Sequence, residues 1–275
     1  MVRFPNSKIN LGLRVMEKRP DGYHALQTVF YPVSLRDALE LNISTDPHFK
    51  LELYGIPLPG DLSTNLCFKA WQLLQNDFPE IPPLHMHLIK AIPAGAGLGG
   101  GSSDGACTLQ LINQQFRLGL AEEQLHAYAL QLGSDCPFFI LNKPCYATGR
   151  GEQLQCIDLN LSEYYFVLVD AGVHISTAWA FEKIKLSSFS GSVQETVTQS
   201  VTSWKTTLSN DFELPVFEAY PFLKTIKEEL YIAGAVYASM TGTGSCIYGL
   251  FHNTTSAALT SLSRRHKVYN LKNNR

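Results

Sequence analysis

Apolar residues along this chain change their spacing several times, and each change marks an element. Leu51, Glu52, Leu53 and Tyr54 alternate apolar with polar, as do Leu84, His85, Met86, His87 and Leu88; a period of two predicts half-buried strands. Between them Leu66, Ala70, Leu73 and Leu74 share one helical face, predicting a helix over 65–77 capped by Ser63 or Thr64. Leu109, Ile112 and Phe116 predict a helix over 103–116. Leu125, Tyr128, Ala129 and Leu132 predict another over 122–132, ended by Gly133. Beyond residue 150 the apolar run 164–169 reads as a buried strand, and the Ser/Thr-rich stretch 187–209 as a loose connector or weak helix. Phe217, Tyr220, Leu223, Ile226 and Leu230 predict one helix closed by Gly234. A strand (235–240), a glycine turn, a strand (246–251) and a helix (256–264) follow. Strands precede helices in both halves without regular alternation, which predicts two α+β lobes joined near residues 150–160.

Composition narrows the class. The chain has 275 residues, 45% hydrophobic and 17% charged, enough to bury a core without disulfide or metal. Its formal charge of −2 leaves no electrostatic footprint for nucleic acid, so any phosphate must be held by a local site. No apolar run approaches a membrane span, and Met1 to Asn6 do not resemble a secretory leader. Six scattered cysteines lack the C-x-x-C spacing of a zinc site and read as buried thiols of a reducing cytoplasm.

The chemistry concentrates at Pro93, Ala94, Gly95, Ala96, Gly97, Leu98, Gly99, Gly100, Gly101, Ser102 and Ser103. Five glycines in seven positions, between a predicted strand and a predicted helix, let the backbone turn sharply and present N–H groups to an anion. The strongly periodic flanks argue against a linker. No Lys follows a Gly, so the P-loop pattern is absent, as are the H-R-D and D-F-G signatures of protein kinases. Gly95, Gly97 and Gly100 satisfy G-x-G-x-x-G, and a dinucleotide-binding oxidoreductase stays open as an alternative. Against it, Glu122 and Glu123 open a helix, whereas the acid of that fingerprint ends a strand.

Three segments together resemble the GHMP small-molecule kinases: Asn6-Ser7-Lys8-Ile9-Asn10-Leu11, the glycine loop, and Met240-Thr241-Gly242-Thr243-Gly244-Ser245. Arg19-Pro20-Asp21-Gly22-Tyr23-His24, the Gly99-Gly100-Gly101 triplet and Leu132-Gly133-Ser134-Asp135-Cys136-Pro137 are similar to a branch acting on a cytidine-diphosphate-linked methylerythritol in the non-mevalonate isoprenoid route. The matches run from residue 6 to about residue 251. The resemblance implies a two-lobe α+β fold: an N-terminal ribosomal-protein-S5-domain-2-like lobe over 1–155 and a C-terminal ferredoxin-like α/β-plait lobe over 156–275. It implies ATP as donor, and Mg²⁺ held through phosphate oxygens with Ser102 or Ser103 as the hydroxyl within reach. Asp135 is expected to accept or orient the substrate hydroxyl proton, and Lys8 to keep it ionised and stabilise developing charge. Tyr23 is expected to stack on the cytosine, His24 to read its edge, Phe181 to add a second aromatic face, and Asn10 and Thr177 to contact substrate. Thr241, Gly242, Thr243 and Gly244 are expected to support the phosphate loop. Asp104 departs from the Asn of that pattern and is expected to turn away or brace the loop from behind. A cytoplasmic monomer or weak homodimer without nucleic-acid or membrane partner completes the expectation. A kinase for another small alcohol and a non-catalytic nucleotide-binding module remain open.

Overall fold

The computed structural model describes residues 1–58, 60–184, 186 and 191–272. Its strands are β1 (Val2–Arg3), β2 (Asn6–Lys18), β3 (His24–Arg36), β4 (Ala38–Ile43), β5 (Lys50–Gly55), β6 (Leu84–Lys90), β7 (Cys145–Thr148), β8 (Gln153–Cys156), β9 (Tyr165–Asp170), β10 (Tyr237–Met240), β11 (Ile247–Phe251) and β12 (Lys267–Lys272). Its α-helices are α1 (Leu66–Asp77), α2 (Gly100–Phe116), α3 (Glu122–Leu132), α4 (Cys136–Leu141), α5 (Thr177–Lys183), α6 (Val193–Val197), α7 (Trp204–Thr207), α8 (Glu213–Ala219), α9 (Pro221–Ile232) and α10 (Ala257–Ser263). Two compact units are formed. One comprises Met1–Ser7, Leu35–Ala94 and Gly99–Lys143; the other comprises Lys8–Ser34, Gly95–Leu98 and Pro144–Arg275.

The first unit carries the sheet β1-β4-β6-β5, in which β5 runs parallel to β6 and the other pairs are antiparallel. Leu39 and Leu41 of β4 and Leu84, Met86 and Leu88 of β6 are all buried, as their alternation predicts. Helices α1 and α2 bury Ala70, Trp71 and Leu74, and Ala106, Leu109, Leu111 and Ile112. The cap of α1 is Asn65, whose side chain accepts from Cys67 N–H at 2.9 Å. Ser63 and Thr64, the expected caps, form a separate 3₁₀ turn with Leu62. Helix α2 starts at Gly100, three residues earlier than predicted, because Gly99 takes the left-handed conformation (φ 71°) that turns the chain into it.

The second unit holds two antiparallel sheets. Residues 8–18 of β2 and 24–34 of β3 join the hairpin β7–β8 in the order β2-β3-β7-β8. The other sheet has the order β10-β11-β9-β12, antiparallel throughout. Its chain path is β9, helices α5 to α9, β10, β11, α10, β12, the connectivity of the expected α/β plait. Its core gathers Val167 and Val169 of β9, Val216, Leu223, Ile226 and Leu230 of the helices, and Leu259 and Leu262 of α10. The single helix predicted across 217–230 is two helices, broken where Pro221 starts α9. The Ser/Thr-rich stretch, of which residues 187–190 lie outside the described residues, forms α6, a 3₁₀ turn and α7 and is anchored by the fully buried Trp204. Among the described residues no helix is long and apolar enough to cross a membrane.

Candidate active site

In the first unit, α2 opens with Gly100, Gly101, Ser102 and Ser103 and has no side-chain cap. The N–H groups of a helix's first turn have no carbonyl partner within the helix, and its dipole puts partial positive charge there. Gly100 is compact for a reason: a Cβ at this position would lie 2.8 Å from the Ile92 side chain and 3.3 Å from Lys90 Nζ. Beneath this turn sits a buried ion cluster. Lys90 Nζ donates to Asp104 Oδ2 at 2.6 Å and to Asp37 Oδ2. Asp37 Oδ1 in turn accepts from the N–H groups of Ala91 and Ile92, at 2.6 and 2.9 Å, where the chain leaves β6 for the glycine loop. Burial pushes the Asp104 carboxyl up to about 7 against the pull of Lys90, with the Asp37 charge adding to the rise. Burial alone would lower the Lys90 ammonium, but the two carboxylates outweigh it and hold it above its ordinary value. Asp104 therefore braces α2 from within, as one of its two expected placements has it.

A cavity of 410 Å³ lies beside this turn, lined by Leu51, Leu53, Leu62, Asn65, Leu66, Ala94, Gly101 and Asp104 among others. Leu53 is 44% exposed in spite of its strand alternation, because its side of β5 faces the cavity and not the core. Asp104 Oδ1 is buried without a hydrogen-bond partner. Asp135 stands in the same unit at the N-terminal boundary of α4, followed by Pro137 in the first turn.

In the second unit Asn10 is a hub. Its Oδ1 accepts from Lys8 Nζ at 2.8 Å, from Gly242 N–H at 3.0 Å and from the Thr241 hydroxyl at 3.2 Å, while its Nδ2 donates to Thr28 Oγ1 at 2.9 Å. Lys8 Nζ also lies 4.8 Å from the centroid of the Phe30 ring, and both Lys8 and Asn10 are buried. Residues 95–98 pack directly on this hub. Lys8 N–H donates to Leu98 C=O at 2.9 Å, and Thr241 Oγ1 is 3.0 Å from Gly97 C=O. Gly97 has φ 79°, and a Cβ there would overlap the carbonyl oxygen of Thr241, so no other residue fits. The second glycine loop is fixed from below by Asn210, whose Nδ2 donates to Met240 C=O and Gly242 C=O, each at 2.8 Å. Thr177 and Thr243 hydroxyls stand 3.5 Å apart.

A second cavity of 470 Å³ in this unit is lined by Lys18, Gly22, His24, Ala178, Phe181 and Glu182, with Ile184 and Leu186. His24 and Phe181 stack with centroids 4.9 Å apart and planes at 21°. Burial, and then the Lys18 charge, hold the His24 imidazole below its ordinary value, so it is neutral at pH 7. Tyr23 is 55% exposed, and the Arg150 guanidinium lies 4.8 Å from its ring centroid. The Asp21 carboxylate accepts from Tyr23 N–H at 3.1 Å and shapes the turn that presents both rings.

The structure thus brings together Lys8, Asn10, Thr241, Gly242 and Gly97, and separately His24 with Phe181 and Thr177 with Thr243. Sequence reading missed Lys90, Asp37, Thr28 and Asn210. Their partners stand tens of residues away, and no local spacing marks them. The donors of the two loops are amides and hydroxyls, and Asp104 is committed to Lys90. That set fits a nucleotide whose metal is carried by its own phosphate oxygens, not a carboxylate cage. Among the described residues the one His/acid group with ligand spacing, Glu52 with His85 and His87, includes no residue of either loop.

Comparison with known proteins agrees with this geometry. The N-terminal domain of GHMP kinases matches residues 65–143 and the GHMP kinase C-terminal domain matches residues 194–267. The class is therefore that of the ATP-using GHMP small-molecule kinases. A crystal structure of mevalonate kinase superposes with a TM-score of 0.75 over 99% of this chain and 98% of its own, at 15% identity, and shares the fold. A Bacteroides fragilis protein named 4-diphosphocytidyl-2-C-methyl-D-erythritol kinase is 50% identical over 253 residues, 91% of this chain and 92% of its own. The protein of that name from Porphyromonas gingivalis is 42% identical over 273 residues, 98% of this chain and 99% of its own. A crystal structure of 4-(cytidine 5'-diphospho)-2C-methyl-D-erythritol kinase superposes with a TM-score of 0.84 at 29% identity, covering 98% of both chains. The chain belongs to the 4-diphosphocytidyl-2-C-methyl-D-erythritol kinase family.

Proposed function

We propose that the protein transfers the γ-phosphate of ATP to the 2-hydroxyl of 4-diphosphocytidyl-2-C-methyl-D-erythritol, in the cytoplasm and with Mg²⁺ as the nucleotide's counterion. The observation that carries this reading is the Asn10 hub, which ties the Lys8 ammonium to both glycine loops through hydrogen bonds of 2.8 to 3.2 Å. Phosphoryl transfer needs positioning and neutralisation of charge more than covalent chemistry. Amides of residues 95–102 and the Ser102 and Ser103 hydroxyls hold the phosphates, and the apolar walls of the 410 Å³ cavity take the nucleoside. Ser102 or Ser103 would be the hydroxyl within reach of a Mg²⁺ carried by the nucleotide's phosphates, and that ion would supply further charge neutralisation.

Asn10 fixes the Lys8 ammonium at one place, where it stabilises charge on the transferring group and contacts substrate together with Asn10. Asp135 accepts or orients the proton of the tertiary hydroxyl. Tyr23 and Phe181 offer aromatic faces to the cytosine, neutral His24 offers ring nitrogens to its edge, and Thr177 reaches the base or its sugar. A buried polar edge left unpaired by a wrong head group costs far more than a missing methylene, so this arrangement selects the cytidylyl substrate strongly. The nucleotide part is assigned to residues 1–155 and the remainder to 156–275. The protein acts as a monomer or weak homodimer and needs no nucleic-acid or membrane partner.

Incubation with Mg²⁺-ATP and the cytidylyl substrate, followed by ³¹P NMR, tests the assignment. One new phosphomonoester should grow in step with ADP. ADP without the ester would reduce the protein to an ATPase.

A further inference from the structure

We infer that Cys145 and Cys156 form an oxidation site, a dithiol that closes to a disulfide by exchange with a low-molecular-weight disulfide such as oxidised glutathione. Their sulfurs lie 3.5 Å apart. The proximity comes from the backbone, because Cys145 and Cys156 stand directly opposite each other in the antiparallel register of β7 and β8. Directly opposed residues have Cα atoms about 4.5–5.5 Å apart, within the range that a disulfide spans, so neither strand has to move.

Exposure assigns the order of events. Strand β8 is the edge of its sheet, and Cys156 is exposed whereas Cys145 is buried. This corrects the expectation that all six thiols are buried. The Cys156 thiolate attacks one sulfur of the reagent and releases one thiolate, leaving a mixed disulfide on Cys156. The Cys145 thiolate then attacks the Cys156 sulfur and releases the second thiolate. The two protein protons pass to the two released thiolates, and the pair gives up two electrons to the reagent. The other four cysteines are buried, burial pushes the thiols of Cys107 and Cys136 up to about 12 and raises those of Cys67 and Cys246 further, and none of the four stands in register with the exposed Cys156, as the buried Cys145 does.

The bond closes the hairpin at its open end, the register running from Cys145 and Cys156 to Thr148 and Gln153 at the turn. That turn carries Gly149, whose carbonyl accepts from Leu26 N–H at 2.7 Å, and Arg150 over Tyr23. Oxidation therefore restrains the element that supports the Tyr23–His24 segment.

The test is exposure of fully reduced protein to oxidised glutathione, followed by removal of the reagent and intact-mass measurement. The protein should become about 2 Da lighter, lose two of its six titratable thiols and yield a linked peptide containing Cys145 and Cys156. Closing this short loop should raise the apparent Tm by about 5 °C. Cys156→Ser should form no internal disulfide, and Cys145→Ser should retain a glutathione adduct on Cys156. Six unchanged thiols, a persistent adduct on the unmutated protein, or a disulfide involving another cysteine would overturn the inference. These readouts use no kinase substrate and stand apart from the assigned activity.

Discussion

Replacing Lys90 by Met removes the ammonium that pairs with two buried carboxylates, and the consequence can be worked from the structure. Asp37 and Asp104 are both within hydrogen-bond distance of Lys90 Nζ, and all three side chains are at most 3% exposed. Deleting one partner of a buried ion pair costs about 3–5 kcal/mol, because the remaining charge is left in a poor dielectric. For 275 residues an unfolding entropy of about 2.1 cal/mol/K per residue gives ~0.6 kcal/mol/K, so the apparent Tm should fall by ~5–9 °C near pH 8. The pH dependence has a definite sign. Asp104 has its folded pKa raised to about 7, above its unfolded value, so it takes up a proton in the folded state as pH falls below that point. Protonation removes the repulsion that Lys90 no longer offsets, and in the parent it also weakens the pair. Without Lys90 the carboxyl rises further, so the variant takes up this proton at higher pH than the parent, and the gap should narrow by about 1.4 kcal/mol, or ~2 °C, between pH 8 and pH 7 and change little from there to pH 5.5. Adding Asp104→Asn to Lys90→Met should recover part of the loss near pH 8. Thermal unfolding followed by circular dichroism at these pH values measures all of this. A drop below about 2 °C near pH 8, or a gap that does not change with pH, would refute the compensated-cluster argument.

Other expectations follow from the same geometry. Gly97→Ala must push its methyl into the Thr241 carbonyl at a φ of 79°, so kcat/KM should fall at least about a hundredfold while the far-ultraviolet spectrum stays native. Asp135→Asn should cut kcat at least about a hundredfold with KM for ATP nearly unchanged; unchanged turnover would remove Asp135 from the mechanism. His24→Ala should raise KM for the cytidylyl substrate about tenfold or more and leave KM for ATP alone. Because the His24 imidazole is held below its ordinary value, that KM should stay flat above about pH 6.5 and rise only in more acid solution, where the ring gains its proton.

The glycine loop was legible because its constraint is local: five glycines in seven positions fit nothing but a backbone under close approach. What approaches Gly97 was expected only through the resemblance, which sets Thr241 to Gly244 against the phosphate loop; no local spacing marks a partner 144 residues further along. The two longest strands, β2 and β3, left no clean alternation. Their buried positions include Lys8, Asn10 and Thr28, polar residues joined in the Asn10 hub where a purely structural strand would carry apolar ones. The Lys90 cluster escaped for a related reason. A Lys at the end of an alternating strand reads as a solvated charge, and only the fold brings Asp37, 53 residues away, beside it. Tyr220 and Pro221 mark a helix break that apolar spacing alone ran across, because the spacing continues in phase on both sides. Cys156 was read as buried with the other five because their scattered spacing marks no metal or disulfide pattern, whereas its place on an edge strand leaves it exposed.

The most direct test of the central claim is ADP release by purified protein with Mg²⁺-ATP, comparing 4-diphosphocytidyl-2-C-methyl-D-erythritol with mevalonate, homoserine and galactose. The account predicts turnover with the cytidylyl compound alone. Comparable turnover with any of the other alcohols would contradict the roles given to Tyr23, His24 and Phe181, and no turnover with any of the four would contradict the kinase assignment itself.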